Sequence, residues 1–374
     1  MNVGILSWMI DKKRTGVNNY LYNLIKNMIS NGKADEISLI HYERSDDPIY
    51  SQINDILIPE KPLKLTSALG IPQAVKNADI DVLHIPVHWY NQITPFVLNR
   101  NIKKVLTVHD LTPILFPEMH TRETNMTWRS SLKFIKNRTS VMICVSESTK
   151  NDCIKLLNIP EKRLRVIPLS ADEQYKPLKN KKQIHDELKQ EYNIDFPFIL
   201  FVGTLEKRKN VPTLLKSFYK LKKSKVEHKL VVVGGKGWKY TKIFDLIEEL
   251  NLKNEVIFTD YVSDKYLVKL YNAADLFVYP SLYEGFGLPP LEAMACGCPV
   301  ITSNTSSLPE VVGDAGIMIN PNDIDGLTES MLKILTDNQL REEMSRKSLE
   351  RAKIFSWKKT AKETWKVYED VLND

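Results

Sequence analysis

Short, continuous apolar runs recur along this chain, and segments with helical spacing separate them. Val3-Gly4-Ile5-Leu6-Ser7 is the first, followed by Ile37 to His41, Asp81 to Ile85, Lys104 to Val108 and Val141 to Val145. A second series comprises Phe198 to Val202, Lys229 to Val233, Val256-Ile257-Phe258, Leu276 to Tyr279 and Val300-Ile301-Thr302. A strand that is apolar on both faces must be covered on both faces, as in parallel sheets with helical crossovers. Between the first two runs, Tyr20, Leu21, Leu24, Ile25 and Met28 follow helical spacing in a segment from about Asn18 to Ser30. Two such series predict two doubly wound α/β domains. The 374 residues fit that count at about 150 per domain, and 43% hydrophobic composition suffices for two cores. The charged tract from Lys176 to Asn193 reads as the linker, with the boundary near 170–195. The expected domains are residues 1–172 and 195–355. A final helix from Trp357 to about Leu372 is expected to present Ala361, Trp365, Tyr368 and Leu372 on one face.

The stretch Pro280 to Gly297 carries the most chemistry. It follows the run Leu276 to Tyr279 and precedes a short helix, Pro290 to Ala295, with Pro at its first position and Gly297 as terminator. Strand, Gly-containing loop and helix together leave backbone N–H groups at the carboxyl end of a sheet, where an anion is favoured. Glu284 and Glu292 flank the loop. Carboxylates are poor partners for phosphates but good acceptors for hydroxyls of a polyol attached to them, and a nucleotide sugar has both parts. The plain alternative is that Glu292 caps its own helix and Glu284 is a loop carboxylate. A second feature is the run Thr204-Leu205-Glu206-Lys207-Arg208-Lys209-Asn210 after Gly203. Three cations just before a helix N-terminus oppose its dipole unless an anion sits between them.

With Glu284 and Glu292 spaced as they are, the text P-S-x-x-E-G-F-G-L-P-x-L-E-A-M-A-x-G-x-P-V-I-T resembles the signature of family 4 of the retaining glycosyltransferases. The likeness runs along nearly the whole chain. It implies the GT-B fold, two Rossmann-like domains facing across a cleft, with the final helix 357–374 returning to the first. It also implies transfer of a hexosyl group from a nucleotide-diphosphate sugar, retaining and metal-independent, without cofactor. Arg208 and Lys209 would bind the diphosphate, although many relatives carry Arg where this chain has Thr204. Glu284 would hold sugar hydroxyls and Glu292 the ribose. The amides of Gly285, Phe286 and Gly287 would meet the leaving group, each such donor worth roughly 2.7–4 kcal/mol in a transition state. Gly203, Tyr261, Val262 and Leu288 would line the nucleotide. Gly16 would face the diphosphate and acceptor, where many relatives have a Gly pair and this chain has Thr15-Gly16.

His84, His88 and His109 stand near strand ends, where ligands of open α/β sheets gather. The phrase Thr107-Val108-His109-Asp110-Leu111-Thr112-Pro113 resembles the family's active-site His segment, which implies that His109 positions a sugar hydroxyl. For His84 and His88 a structural role stands beside a functional one. Asp79-Ile80-Asp81 has the form of the metal-binding D-x-D of glycosyltransferases of another fold. It directly precedes a strand and reads as a surface entry, so no metal site is expected.

The phrases around His109 and Glu284 most resemble mannosyltransferase-like members that build surface polysaccharides. The expected donor is therefore a GDP-sugar, with a UDP-sugar second, and the acceptor a glycan or lipid-linked sugar. The net charge of +6 does not argue for nucleic acid. The basic, aromatic-bearing stretch Arg122 to Arg138 has two readings: a solvated helix face behind the sheet, or peripheral contact with anionic lipid. The chain lacks a signal-peptide pattern and any 18-residue apolar run, and its four cysteines lack zinc or redox spacing. A cytoplasmic location follows as the expectation, at most peripheral to the membrane. Rival readings are a nucleotide-sugar epimerase or hydrolase, which needs a further acid/base pair, and a non-catalytic nucleotide-sugar binder. A dinucleotide fingerprint after the first run is absent, which removes an NAD-dependent dehydrogenase.

Overall fold

The computed structural model describes residues 1–7, 10, 16–42, 47–58, 70–86, 102–235 and 241–373. Two compact units divide the chain: Met1–Leu169 with Ser356–Asp374, and Ser170–Phe355. Among the described residues no helix is long and apolar enough to cross a membrane.

The first unit contains β1 (Val3–Leu6), β2 (Ile37–His41), β3 (Asn54–Leu57), β4 (Val82–Ile85), β5 (Lys103–Val108), β6 (Val141–Cys144) and β7 (Leu164–Val166). These pair in the order β3-β2-β1-β4-β5-β6-β7, all parallel. Order reverses at β1 and β4, the position where open sheets part their crossover loops. β1 lies inside the sheet, paired Val3↔Ile37 on one side and Val3↔Val82 on the other, and its residues are fully buried. The short edge strand β3 is exposed along most of its length, so it has no apolar run to betray it in sequence. The helix Gly70–Asn77 was likewise unanticipated. Helix Gly16–Ser30 buries Tyr20, Leu21, Leu24, Ile25 and Met28, as its spacing predicts.

The second unit holds β8 (Phe198–Val202), β9 (Lys229–Val233), β10 (Val256–Phe258), β11 (Leu276–Tyr279), β12 (Val300–Ser303) and β13 (Ile317–Ile319), parallel in the order β10-β9-β8-β11-β12-β13. Here the reversal falls between β8 and β11, so the loops after these two strands diverge at the same edge.

Two expectations need correction. The charged tract 176–193 is not a plain linker: Lys181–Tyr192 is a helix, with Asn180 accepting from the Gln183 N–H and left-handed Asn193 closing it. Ile184 and Leu188 bury their side chains, and Glu187 pairs with Lys269 of helix Asp264–Ala273. Charge on the outward faces concealed a narrow apolar stripe. In the last helix, Trp357–Asn373, the buried residue at the end is Val371, while Leu372 is 39% exposed; Ala361, Trp365 and Tyr368 are buried as expected.

The last helix is fixed in the first unit by a buried polar chain. Tyr368 Oη lies 2.7 Å from His84 Nδ1, and His84 Nε2 and Tyr20 Oη each lie 2.9 Å from Thr107 Oγ1. Burial, with His109 adding, pushes His84 down to about 3, so its ring is neutral and structural.

Candidate functional site

The strongest concentration of buried charge in the second unit lies at the carboxyl ends of β8 and β11. After β8 the chain passes Gly203, makes the short turn Lys207–Lys209, and enters helix Val211–Lys222 through Asn210, a left-handed residue at φ 56°. Asn210 Nδ2 donates to the carbonyls of Pro280 (3.1 Å) and Pro321 (2.7 Å), which ties this turn to the loop after β11. That loop answers in kind: Leu282 N–H donates to the Arg208 carbonyl at 2.8 Å.

The two segments meet in a four-charge cluster. Arg208 donates to Glu206 at 2.6 Å, to Glu284 Oε2 at 2.7 Å and to the Tyr283 carbonyl at 2.9 Å. Lys209 Nζ donates to Glu284 Oε1 at 2.7 Å and to the Tyr279 hydroxyl, 5.0 Å from that ring's centre. The repulsion foreseen between cations and helix dipole is thus met by two carboxylates, Glu206 and Glu284. Both Lys209 and Glu284 are only 7% exposed. Burial alone would raise Glu284, but Arg208 and Lys209 outweigh it and hold the carboxyl at about 2. Dehydration, with Arg208 beside it, pulls the Lys209 amine below its ordinary range, and Glu284 offsets part of that.

Gly287 has φ 113°, and a Cβ there would stand 2.9 Å from Leu308 Cδ2. This glycine lets the chain turn into helix Leu288–Ala295, two residues earlier than proline placement suggests. On that helix Glu292 is 8% exposed and accepts from the Tyr271 hydroxyl at 3.0 Å. Burial raises it to about 7; the Tyr271 bond opposes, while Asp264 and Asp172 add to the rise. Glu284 and Glu292 are therefore electrostatic opposites, one locked as an anion and the other poised to exchange a proton near neutrality.

The turns after β8, β9 and β10 are laced at the same edge. Gly203 N–H donates to Val233 O, Gly234 N–H to Asp260 O, and Leu205 N–H to Gly235 O. A Cβ on Gly234, at φ 145°, would fall 2.1 Å from the Gly203 carbonyl oxygen. Beside them Val262 is buried and Tyr261 is half exposed. Gly203, Arg208, Lys209, Tyr261, Val262, Gly285, Phe286, Gly287, Leu288, Glu284 and Glu292 thus all lie in the second unit, at the carboxyl ends of its strands or on the elements that follow them.

In the first unit, His109 follows β5. Its Nε2 lies 2.9 Å from the Pro86 carbonyl, and the Tyr20 ring meets it edge-on at 4.8 Å. Burial lowers its pKa, against the Pro86 bond and Asp110, so the neutral ring donates from Nε2 and keeps Nδ1 as an acceptor. Asp110 accepts from the Thr112 amide and hydroxyl, a turn-closing role. Gly16 begins its helix, and a Cβ there would meet nothing within 4 Å. His88 and Thr15 lie outside the described residues. Asp81 accepts from the Asn2 amide at 2.8 Å and Asp79 makes a left-handed turn, both at the amino end of β4. Among the described residues no group of three His, Cys, Asp or Glu is arranged to hold a metal.

Sequence reading missed Glu206, Asn210, Tyr271 and Tyr279, and the hydroxyl-rich segment Ser303 to Ser307. The signal in the sequence was polar residues at the ends of apolar strands: Tyr279 closes β11 and Ser303 closes β12.

Family models match most of the chain: glycosyl transferases group 1 over residues 184–351 and glycosyltransferase family 4 over residues 14–175. O-antigen chain mannosyltransferase B of Escherichia coli is 32% identical over 370 residues, 95% of this chain and 96% of that protein. Among solved structures, sucrose-phosphate synthase from Thermosynechococcus elongatus superposes with a TM-score of 0.80 at 21% identity, covering 100% of this chain and 99% of that one. Anabaena HepE in complex with UDP and glucose gives 0.76 at 18% identity, covering 99% of each. These likenesses show the fold, two Rossmann-like units with parallel sheets.

Proposed function

Because the chain belongs to the glycosyltransferases of group 1 and family 4, we propose that it transfers a mannosyl-like hexosyl group from a nucleotide-diphosphate sugar to a growing surface polysaccharide. The observation that carries this reading is the buried cluster of Arg208, Lys209 and Glu284 beside the Gly285-Phe286-Gly287 loop. A diphosphate brings the negative charge that half-buried Arg208 and buried Lys209 answer. The mannosyltransferase relative favours a GDP-sugar; the UDP bound to HepE keeps a UDP-sugar second.

In the proposed reaction the anomeric C–O bond to the diphosphate breaks as the acceptor hydroxyl attacks the same face. A new C–O bond forms, configuration is retained, and the acceptor proton passes to a diphosphate oxygen. Arg208, Lys209 and the loop amides balance the leaving charge without a metal. Glu284 orders the cations and sugar hydroxyls, Glu292 receives the ribose, and Gly203, Tyr261, Val262 and Leu288 line the nucleotide. The first unit takes the glycan or lipid-linked acceptor, with Gly16 beside it and His109 positioning a sugar hydroxyl.

Helix Arg122–Arg138 turns Trp128 and Ile135 inward while Arg129 and Met126 are exposed, which supports peripheral contact with anionic lipid by a cytoplasmic enzyme. Binding to anionic vesicles that is unchanged in Arg129→Glu would overturn that contact.

Calorimetric titration with GDP, UDP and ADP, with and without divalent metal, tests the central reading on wild type and Glu292→Ala. Metal-free binding of one nucleotide, weakened by the substitution, is the expected result. Failure of all three to bind refutes it. Product anomeric configuration, read by NMR after turnover of the matching mannosyl donor, tests retention.

A further inference from the structure

Glu292 opens the second turn of helix Leu288–Ala295, and the Tyr271 hydroxyl donates to its Oε2 at 3.0 Å. A carboxylate offers about four lone-pair sites on its two oxygens. Among the described residues Tyr271 fills one of them and no other side chain or backbone group bonds to this carboxylate. Oε1 makes no hydrogen bond there, yet it is not sealed from the surface. A largely buried acceptor left open costs free energy, and native proteins rarely keep one without a use.

The helix alone does not decide where this carboxylate points. Its terminal torsion is broad and roughly two-fold, unlike the staggered torsions nearer the backbone. The Tyr271 hydroxyl supplies the missing constraint, because its own ring is held. Tyr271 lies on helix Asp264–Ala273 with no exposed surface. The Tyr175 ring meets it edge-on at 5.8 Å and 76°, and the ring of Phe277, on β11, at 5.6 Å and 62°. A ring wedged between two others in a close-packed interior cannot swing, so the donor is rigid. With Oε2 pinned to it, the carboxylate plane is set and the open sites of Glu292 have a fixed direction.

We propose that Tyr271 is a positioning residue for ribose recognition: its hydroxyl holds Oε2 of Glu292 so that the open acceptor sites of that carboxylate face the vicinal hydroxyls of the donor's ribose. Tyr271 touches no ligand and acts through Glu292. The inference rests on the nucleotide-sugar reading above, with Glu292 as the ribose partner.

The test is calorimetry of GDP against 2′,3′-dideoxy-GDP, and of the same uridine pair, on wild type, Tyr271→Phe, Glu292→Ala and the double variant, with the melting temperature of each recorded. Wild type is expected to prefer the ribonucleotide by about tenfold or more, as for a hydroxyl bonded to a charged acceptor. Tyr271→Phe should cut that preference to about twofold, weakening the ribonucleotide and leaving the dideoxynucleotide within about twofold. Glu292→Ala should abolish the preference, and adding Tyr271→Phe to it should change nothing further, since the two side chains act as one unit. Phe277→Leu keeps the hydroxyl but removes one wall of its ring, so it should show the same ribose-selective loss in smaller measure, including where Tyr271→Phe does not fold. An unchanged preference in folded Tyr271→Phe, or in Phe277→Leu where that variant does not fold, overturns the role of Tyr271 alone. So do equal losses for both nucleotides, or a further loss in the double variant. A wild type that binds both nucleotides equally overturns Glu292 as the ribose partner, and one that binds neither overturns the nucleotide-sugar reading with it.

Discussion

Replacing Glu284 by Gln probes the charge cluster most directly. The side chain keeps its shape but loses the charge that half-buried Arg208 and buried Lys209 share at 2.7 Å each. The gap between an ordinary carboxyl value of 4.5 and about 2 in the folded chain corresponds to about 3 kcal/mol. That agrees with the roughly 3–5 kcal/mol lost when one partner of a buried pair is removed. For a unit the size of Ser170–Phe355, 1 kcal/mol moves the melting temperature by about 2–4 °C, so the variant should melt about 6–12 °C lower at pH 7.5. The sign with pH follows from a depressed folded pKa: the stabilisation is complete above 4.5 and disappears as pH falls towards 2, so the two proteins should converge on acidification. A diphosphate supplies replacement charge. In wild type it must compete with the Glu284 carboxylate for Arg208 and Lys209, whereas in the variant the competing carboxylate left is Glu206 on Arg208. Scanning fluorimetry with GDP or UDP, without sugar donor, should therefore raise the variant's melting temperature by more than the wild type's, while turnover with donor and acceptor collapses. A variant within about 0.5 kcal/mol of wild type at pH 7.5, or one gaining less from the diphosphate, refutes the reasoning.

Glu292→Gln should behave in the opposite sense. A folded pKa raised to about 7 means the native state holds a proton the unfolded chain has released, so stability falls as pH rises from 4.5 through 7, by up to about 3 kcal/mol; urea titrations at pH 5 and pH 8 should show the variant gaining on wild type only at the higher pH. Tyr368→Phe leaves the buried His84 Nδ1 without its hydrogen-bond partner and should cost about 1–3 kcal/mol, read by the same titrations. Gly234→Ala forces a Cβ against the Gly203 carbonyl, and its strained backbone alone costs about 1–3 kcal/mol, so nucleotide binding in calorimetry should be lost together with stability.

Much of the fold was legible because its signals are local. A strand buried on both faces has to be a continuous apolar run, and β1, β2, β8, β9 and β11 announce themselves so. Capping is also decided within three residues: Ser146, ahead of helix Glu147–Leu157, accepts the Thr149 N–H at 3.0 Å. The edge strand β3 and the helix Lys181–Tyr192 were not legible, since the first needs no apolar face and the second buries only a narrow stripe beneath its charges.

The sequence by itself determined that cations crowd a helix entrance at Lys207–Lys209 and that two carboxylates flank a glycine loop. Tertiary structure alone decided that these meet, some 75 residues apart in the chain, because β8 and β11 are neighbours in the sheet while β9 and β10 lie on the far side. It also decided the ionisation of each carboxylate. Glu284 and Glu292 are the same residue type on one loop and helix, and nothing local distinguishes them. Placing one between two cations and the other against a tyrosine in an apolar interior drives their proton affinities apart, as Coulomb attraction and desolvation act with opposite sign.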